Sequence, residues 1–178
     1  MTRSRVILLA LVASCLLSGR TPPCPPLADA AAALAGADLA ADITQRIDEL
    51  NPHLTEPQVQ RIRAAILRYS AKYSLDPLLV TAVIEVESAA RPWARSPMGA
   101  LGLMQVMPQM IRPMNLAGNP STVETNIEAG CMILADNIRR LGEDDGISAY
   151  FWGADIRGVT YLNRVRAARE RLRSEMRS

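Results

Sequence analysis

The chain has 178 residues and a mass of 19.4 kDa, enough for one domain with a core and a short appendage. Hydrophobic residues make up 49% and charged residues 21%, which excludes a disordered polyelectrolyte, and two Trp, four Tyr and one Phe leave the core to Leu, Ile, Val, Met and Ala, a composition for packed helices. A formal charge of +2 from 20 basic and 18 acidic residues gives no global case for nucleic acid, and one His with three Cys cannot build the usual zinc sites.

In chain order, Arg3 and Arg5 precede an apolar run, Val6 to Leu17, followed by Ser18-Gly19. The run is too short to cross ~30 Å of hydrocarbon as a helix, so residues 1–19 read as an export signal. Two processing routes stay open: ordinary cleavage between Gly19 and Ala30, or lipid modification at Cys15 with an outer-membrane anchor. Either route delivers the chain to the periplasm, and no later segment is apolar enough to span a membrane. Residues 20–38, rich in Pro and Ala, read as a linker.

The helical pattern is predicted from about Ala40, where Ile43, Ile47 and Leu50 share a face. Thr55 with Gln58 three residues on predicts a capping box, and Val59, Ile62, Ile66 and Tyr69 form the next stripe. Asp76-Pro77 starts an apolar helix to Ser88. A loop, a short apolar segment (Leu101 to Met107) and an irregular stretch over 109–121 follow. A long helix is predicted from Val123 to Leu141 with Gly142 beyond it, then a short one over 146–152 and an Arg-rich one over about 159–176. No alternating strands appear; the domain over 40–178 is predicted to be all-α, with six or seven helices.

Chemistry is concentrated between Glu85 and Pro108. Glu87 lies beside the buried face of its helix, near the C-terminal end, whereas Glu85, about 200° away, is expected to face solvent. Desolvation and the negative end of the helix dipole both raise the pKa of a carboxyl at position 87, as a general acid near neutral pH requires. An ordinary boundary Glu paired with Arg91 or Arg95 is the alternative. Gly99 and Gly102 allow close approach of backbone to a ligand, Ser96 and Gln105 supply polar groups suited to sugar hydroxyls, and Met104 offers an adaptable apolar surface.

Taken together these residues resemble the signature of the lytic transglycosylases of the soluble (SLT) type, roughly E-S-x-F-x-P-x-A-x-S-x-x-G-A-x-G-L-M-Q-x-M-P. Glu87, Ser88, Pro92, Ala94, Ser96, Gly99, Ala100, Gly102, Leu103, Met104, Gln105, Met107 and Pro108 fall in register. Asn126-Ile127-Glu128-Ala129-Gly130 looks like the family's N-I-x-x-G helix start, Ala149-Tyr150-Phe151-Trp152-Gly153 like its A-Y-N-x-G segment, and Tyr161-Leu162-Asn163-Arg164-Val165 like its closing Y-V-x-x-V. Two departures stand out: Ala90 replaces the Phe that walls the cleft, and Phe151 replaces an Asn near the active site.

The resemblance implies a lysozyme-like fold and cleavage of the β-1,4 bond between N-acetylmuramic acid and N-acetylglucosamine in peptidoglycan, without water and without a cofactor or metal. It makes Glu87 acid and then base, with Tyr150 hydrogen-bonding it, and assigns substrate contacts to Ser96, Gly102, Met104, Gln105, Asn126 and Trp152. A two-carboxylate glycosidase would need a second acid about 5–9.5 Å from the first; Glu124, Glu128, Asp144, Asp145 and Asp155 are available, none singled out by a pattern. A hydrolytic muramidase and a non-catalytic glycan-binding or assembly factor are the alternatives. The expected partners are glycan strands and a secretion or cell-wall machinery, with the chain a monomer that neither binds nucleic acid nor spans a membrane.

Smaller signals read more plainly. Cys131 falls on an apolar stripe as a buried thiol, with a Cys24–Cys131 disulfide as the alternative, and His53 falls in a loop at the surface. The six Arg after Val159 read as a solvated face or a contact with anionic glycans, and Trp93 and Trp152 as sugar-stacking or core residues.

Overall fold

The computed structural model describes residues 27–116, 118–119 and 121–176. The predicted export signal and Cys24 lie outside the described residues. The chain divides into two compact units, residues 1–37 and 38–178. Of the first, only helical backbone from Leu27 onward is described here; everything below concerns the second.

Among the described residues there are seven α-helices and no strand: α1 (Leu27–Leu50), α2 (Glu56–Tyr73), α3 (Pro77–Ser88), α4 (Pro108–Ile111), α5 (Val123–Leu141), α6 (Glu143–Trp152) and α7 (Thr160–Glu175). A 3₁₀ turn, Arg112–Met114, follows α4. The all-α expectation and the limits of α2, α3, α5 and α7 agree with the sequence reading to within a residue or two. The predicted boundaries rested on caps, and the caps are in place. Gln58 Oε1 accepts the Thr55 backbone N–H at 2.8 Å, and Asp76 Oδ1 accepts the Leu78 N–H at 2.9 Å, with Pro77 opening the helix. Gly142, at φ 82°, closes α5 in a region that favours glycine.

Three boundaries differ. Helix begins at Leu27, inside the stretch read as a linker, because the run from Ala28 to Ala41 is mostly alanine, a strong helix former that outweighs Gly36. Helix α6 begins at Glu143 rather than Gly146, since Glu143, Asp144 and Asp145 in its first turn complement the helix dipole. Part of 109–121 is helical, with Pro108 opening α4.

Helix α3 is the centre of the core. Leu79, Val80, Ala82, Val83 and Ile84 are all buried on it, and it packs against α2 and α7, while α5 packs against α2 and α6. Ile43, Ile47, Val59, Ile62, Ile66, Ile127, Leu134, Ile147, Val165 and Leu172 complete the cluster from the surrounding helices, each large side chain contributing about 1.5–3 kcal/mol by leaving water. Cys131 is a buried free thiol in the same cluster, its pKa pushed up to about 12 by burial, and His53 is exposed as expected.

The charged faces behave differently from the sequence reading. Glu85 does not face solvent: its side chain is 12% exposed and lies between Arg46 of α1, at 3.0 Å, and Arg171 of α7, at 2.6 Å. Two helices cover the face of α3 that the helical wheel leaves outside, and they bring cations to replace water. Four of the five described arginines of α7, all but Arg164, are in ion pairs, and of these Arg166, Arg171 and Arg173 also stay partly exposed to solvent. Arg169 bridges Asp76 and Glu143, Arg173 also reaches Asp76, and Arg166 pairs with Asp144.

Candidate active site

Helix α3 ends one residue after Glu87. It stops because Ala89 and Ala90 both adopt left-handed backbone, φ 48° and 54°, a conformation that costs an L residue roughly 1–2 kcal/mol each. The turn is held by Asn51, whose Nδ2 donates to Ala90 O at 3.0 Å. Ala90 itself is fully buried in the core. It does not line the cleft, so the loss of a Phe there leaves the cleft wall to other residues.

The loop that follows is folded back on itself by backbone bonds. Ser96 N–H donates to Ala100 O at 3.0 Å and Ser96 Oγ accepts the Ala100 N–H at 3.0 Å. Gly102 N–H donates to Ala94 O at 2.8 Å, and Leu101 and Val106 exchange bonds of 3.1 and 3.0 Å. Gln105 sits in this turn at φ 48°, and its Nε2 donates to Gly102 O at 2.9 Å.

Asn126, buried on the first turn of α5, clamps the loop from behind. Its Nδ2 donates to Leu101 O at 2.8 Å and its Oδ1 accepts the Met104 N–H at 2.9 Å. Gly102 makes this approach feasible: at φ 75°, a Cβ there would lie 2.7 Å from the Asn126 side chain. Met104 is fully buried against α5, where a Cβ on Gly130 would come within 2.7 Å of its own Cβ. Three of the residues expected to touch substrate, Gly102, Met104 and Asn126, therefore shape the loop from its inner side. The reason is that the loop must be closed over α5 before it can present anything outward.

What the loop presents is a groove in two halves. One, of 380 Å³, is lined by Glu87, Ser96, Gln105, Tyr150 and Phe151 together with Met98, Met107, Met110 and Ile133. The other, of 540 Å³, is lined by Glu87, Ser96 and Gln105 again, with Arg91, Trp93, Ala94 and Arg95. Glu87, Ser96 and Gln105 stand where the halves meet. The adaptable apolar surface assigned to Met104 is supplied instead by Met98 and Met110, 82% and 43% exposed. Trp152 lines neither half; its Nε1 is buried and it meets Phe151 edge-on at 5.0 Å.

The Glu87 carboxyl is half-buried, and burial raises its pKa above the usual carboxylate value; a hydrogen bond from Tyr161 and the charge of Arg164 oppose that rise without cancelling it. Tyr161 Oη donates to Glu87 Oε1 at 2.7 Å. This corrects the expectation for Tyr150, whose hydroxyl donates to Met104 O at 2.8 Å. Tyr150 lines the groove, but its phenol is used to fix the loop. Burial, then the nearby Glu87 charge, keeps the pKa of both phenols raised, so each is a neutral donor. Phe151 is 55% exposed and stacks on the Tyr161 ring at 5.0 Å with a 17° tilt, so the residue that departs from the family pattern braces the one that bonds Glu87. Sequence reasoning noted Tyr161 within a terminal motif and gave it no role; that match was the available signal.

Glu87 pairs with neither Arg91 nor Arg95. Of the other carboxylates considered, Glu124 pairs with Arg61, Glu128 with Lys72, Asp144 with Arg166 and Asp155 with Arg157. Asp145 is exposed on the first turn of α6. Among the described residues none of the five lines either half of the groove.

Comparison with known proteins bears on this arrangement. A transglycosylase of the phage PRD1 is 37% identical over 87 residues, 48% of this chain and 32% of the phage protein. The membrane-bound lytic murein transglycosylase C of Glaesserella parasuis is 33% identical over 89 residues, 44% of this chain and 24% of that one. The endo-type membrane-bound lytic murein transglycosylase A of Klebsiella pneumoniae is 32% identical over 95 residues, covering 48% and 47% of the two chains. The matched stretch thus spans less than half the length of these relatives. The 70 kDa soluble lytic transglycosylase of Escherichia coli superposes with a TM-score of 0.47 at 26% identity, over 64% of this chain and 21% of the other. Residues 64–165, more than half the chain and all the elements that carry the groove, match the model of one domain family: the protein belongs to the transglycosylase SLT domain family.

Proposed function

We propose that the protein is a peptidoglycan lytic transglycosylase that cleaves the β-1,4 bond between N-acetylmuramic acid and N-acetylglucosamine and leaves a 1,6-anhydro end. The observation that carries this reading is the Glu87 carboxyl at the junction of the groove, its pKa raised by burial, with no second carboxylate lining either half among the described residues. Tyr161 donates to Oε1, which leaves Oε2 to carry the acidic proton. That proton passes to the glycosidic oxygen as its bond to the muramic C1 breaks. The resulting Glu87 carboxylate then takes the proton of the muramic 6-hydroxyl as that oxygen bonds to C1. Glu87 ends protonated, no water is consumed, and one group serves both steps, as general acid and general base.

The reading includes an exported, periplasmic enzyme. The Arg-flanked apolar N-terminus supports it, and among the described residues no helix is long and apolar enough to cross a membrane. Lipid anchoring at Cys15 remains the alternative to ordinary cleavage, and two of the relatives named above are membrane-bound by name.

Digestion of purified sacculi followed by mass spectrometry tests the proposal. Muropeptides lighter by one water than hydrolytic products are expected, and Glu87→Gln should reduce their release about 100-fold or more while leaving the fold intact. Free reducing ends would indicate a hydrolase, and no release by the parent protein would indicate a binding role.

A further inference from the structure

Two halves of one groove differ in chemistry. The half containing Met98, Met110 and Phe151 is apolar, while the other carries Arg91, Trp93 and Arg95, and its only acid is Glu87. Arg91 and Arg95 have no carboxylate partner among the described residues. Many of the other cations, among them Arg46, Arg61, Lys72, Arg169, Arg171 and Arg173, are in ion pairs. Arg91 is also oriented: its Nε donates to Ser88 O at 2.8 Å, which leaves the terminal nitrogens of the guanidinium for another acceptor. Trp93 stands between them in sequence with 61% of its surface exposed, a large ring that folding has not buried.

The positions are informative as well. The stretch from Glu87 to Ser96 follows the family pattern at Glu87, Ser88, Pro92, Ala94 and Ser96. Arg91, Trp93 and Arg95 occupy positions where that pattern specifies no residue. Here two of the three are cations and one is an aromatic.

We propose that Arg91 and Arg95, with Trp93 between them, form a subsite for a carboxylate-bearing substituent of the glycan, the peptide stem borne by the lactyl group of muramic acid. The proposal rests on the peptidoglycan reading and adds to it the form of substrate preferred. A guanidinium fork is matched to a carboxylate in shape and charge, and an exposed indole covers the apolar backbone of a sugar or peptide. A chitooligosaccharide, the same β-1,4 backbone without lactyl groups or stems, offers this half of the groove no charge for its two cations.

The test uses the full chain carrying Glu87→Gln, which binds without cleaving, and measures its affinity for soluble glycan strands with their stems and for chitooligosaccharide strands of matching length, which carry neither lactyl groups nor stems. Stem-bearing strands are expected to bind roughly tenfold tighter, with the difference shrinking as salt rises. In Arg91→Gln/Arg95→Gln the two strands should bind within about twofold of each other, and in Arg91→Lys/Arg95→Lys, which keeps the charge and loses the fork, part of the preference should survive. Equal affinity in the parent, no binding of either strand, or a preference that survives the Gln pair overturns the subsite, as does a Lys pair that behaves like the Gln pair while its circular dichroism is unchanged. Failure of the catalytic reading would show separately, as sacculi yielding no anhydro products, and leaves this comparison of affinities standing.

Discussion

Tyr161, in the first turn of α7, donates its hydroxyl hydrogen to Glu87 Oε1 across 2.7 Å from 74 positions further along the chain. The bond favours the ionised carboxyl, while burial favours the neutral one and prevails. One phenol therefore tempers how strongly the site holds its proton.

Replacing that phenol should move the pH profile. Tyr161→Phe removes the donor and keeps the ring that stacks on Phe151, so the Glu87 pKa rises further. If the protonated form is the active one, the alkaline limb of the rate profile moves up by about one pH unit, in line with the worth of a hydrogen bond to a charged group. Tyr150→Phe, which loses a bond to the Met104 carbonyl, should instead lower stability by about 1 kcal/mol and leave that limb in place. Rates of anhydro-product release across pH distinguish the two.

The raised Glu87 pKa has a consequence for folding. Below the ordinary carboxylate value of 4.5 the group is protonated in both folded and unfolded chains and costs nothing. As pH rises through the higher folded value, the unfolded state releases its proton first and the folded state loses stability. Glu87→Gln, which has no proton to lose, should match the parent near pH 4 and exceed it near pH 8, as read by urea denaturation at roughly those values. A variant equally stable to the parent at both would show that the carboxyl is not desolvated.

Asp76 should show the opposite trend. Burial pushes its pKa up, but the Leu78 N–H and the guanidinium groups of Arg169 and Arg173 together outweigh that and hold it below its ordinary 3.8. The stability it contributes is present above that value and is lost as pH falls through the lower folded one. Asp76→Ala removes a helix cap and two partly buried ion pairs. It should cost about 2–3 kcal/mol near neutral pH and much less in acid, measured by denaturant midpoints at the two conditions.

The clamp behind the loop can be tested by deletion. Asn126→Ala leaves the Met104 N–H without its partner, while the Leu101 carbonyl keeps the Val106 N–H; the change should cost about 1–3 kcal/mol, the cost of one buried orphan. Activity should fall with it, because Gln105 is carried by the same turn. Gly130→Ala forces a Cβ into Met104 and should cost about 1–3 kcal/mol by overpacking. Thermal unfolding of both variants checks this; a Gly130→Ala protein as stable as the parent would mean that Met104 can move aside freely.

Much of the fold was legible because the signals that end helices are local. Thr55 with Gln58, Asp76 with Pro77 and Gly142 after Leu141 each act on backbone within four residues. They placed α2, α3 and α5 correctly, and the spacing of Ile127, Cys131 and Leu134 showed which face of α5 goes inward. Glu87 was legible for the same reason: Val83 and Ile84, one turn before it, fix the side of α3 on which it lies.

Partners across the fold were not legible. Helical periodicity places Glu85 on the outer side of α3, but only the packing of α1 and α7 shows that this side is covered by Arg46 and Arg171. Met104 and Asn126 carry the right chemistry to meet a sugar, and they face inward because the loop closes over α5. The amino-acid order alone determined the helices, their caps and the carboxyl at position 87, since each depends on neighbours within a turn or two. Tertiary packing alone decided that Tyr161 and not Tyr150 bonds that carboxyl, and that Arg91 and Arg95 are left without acids, because hydrogen bonds and ion pairs depend on distances in space that chain separation does not encode.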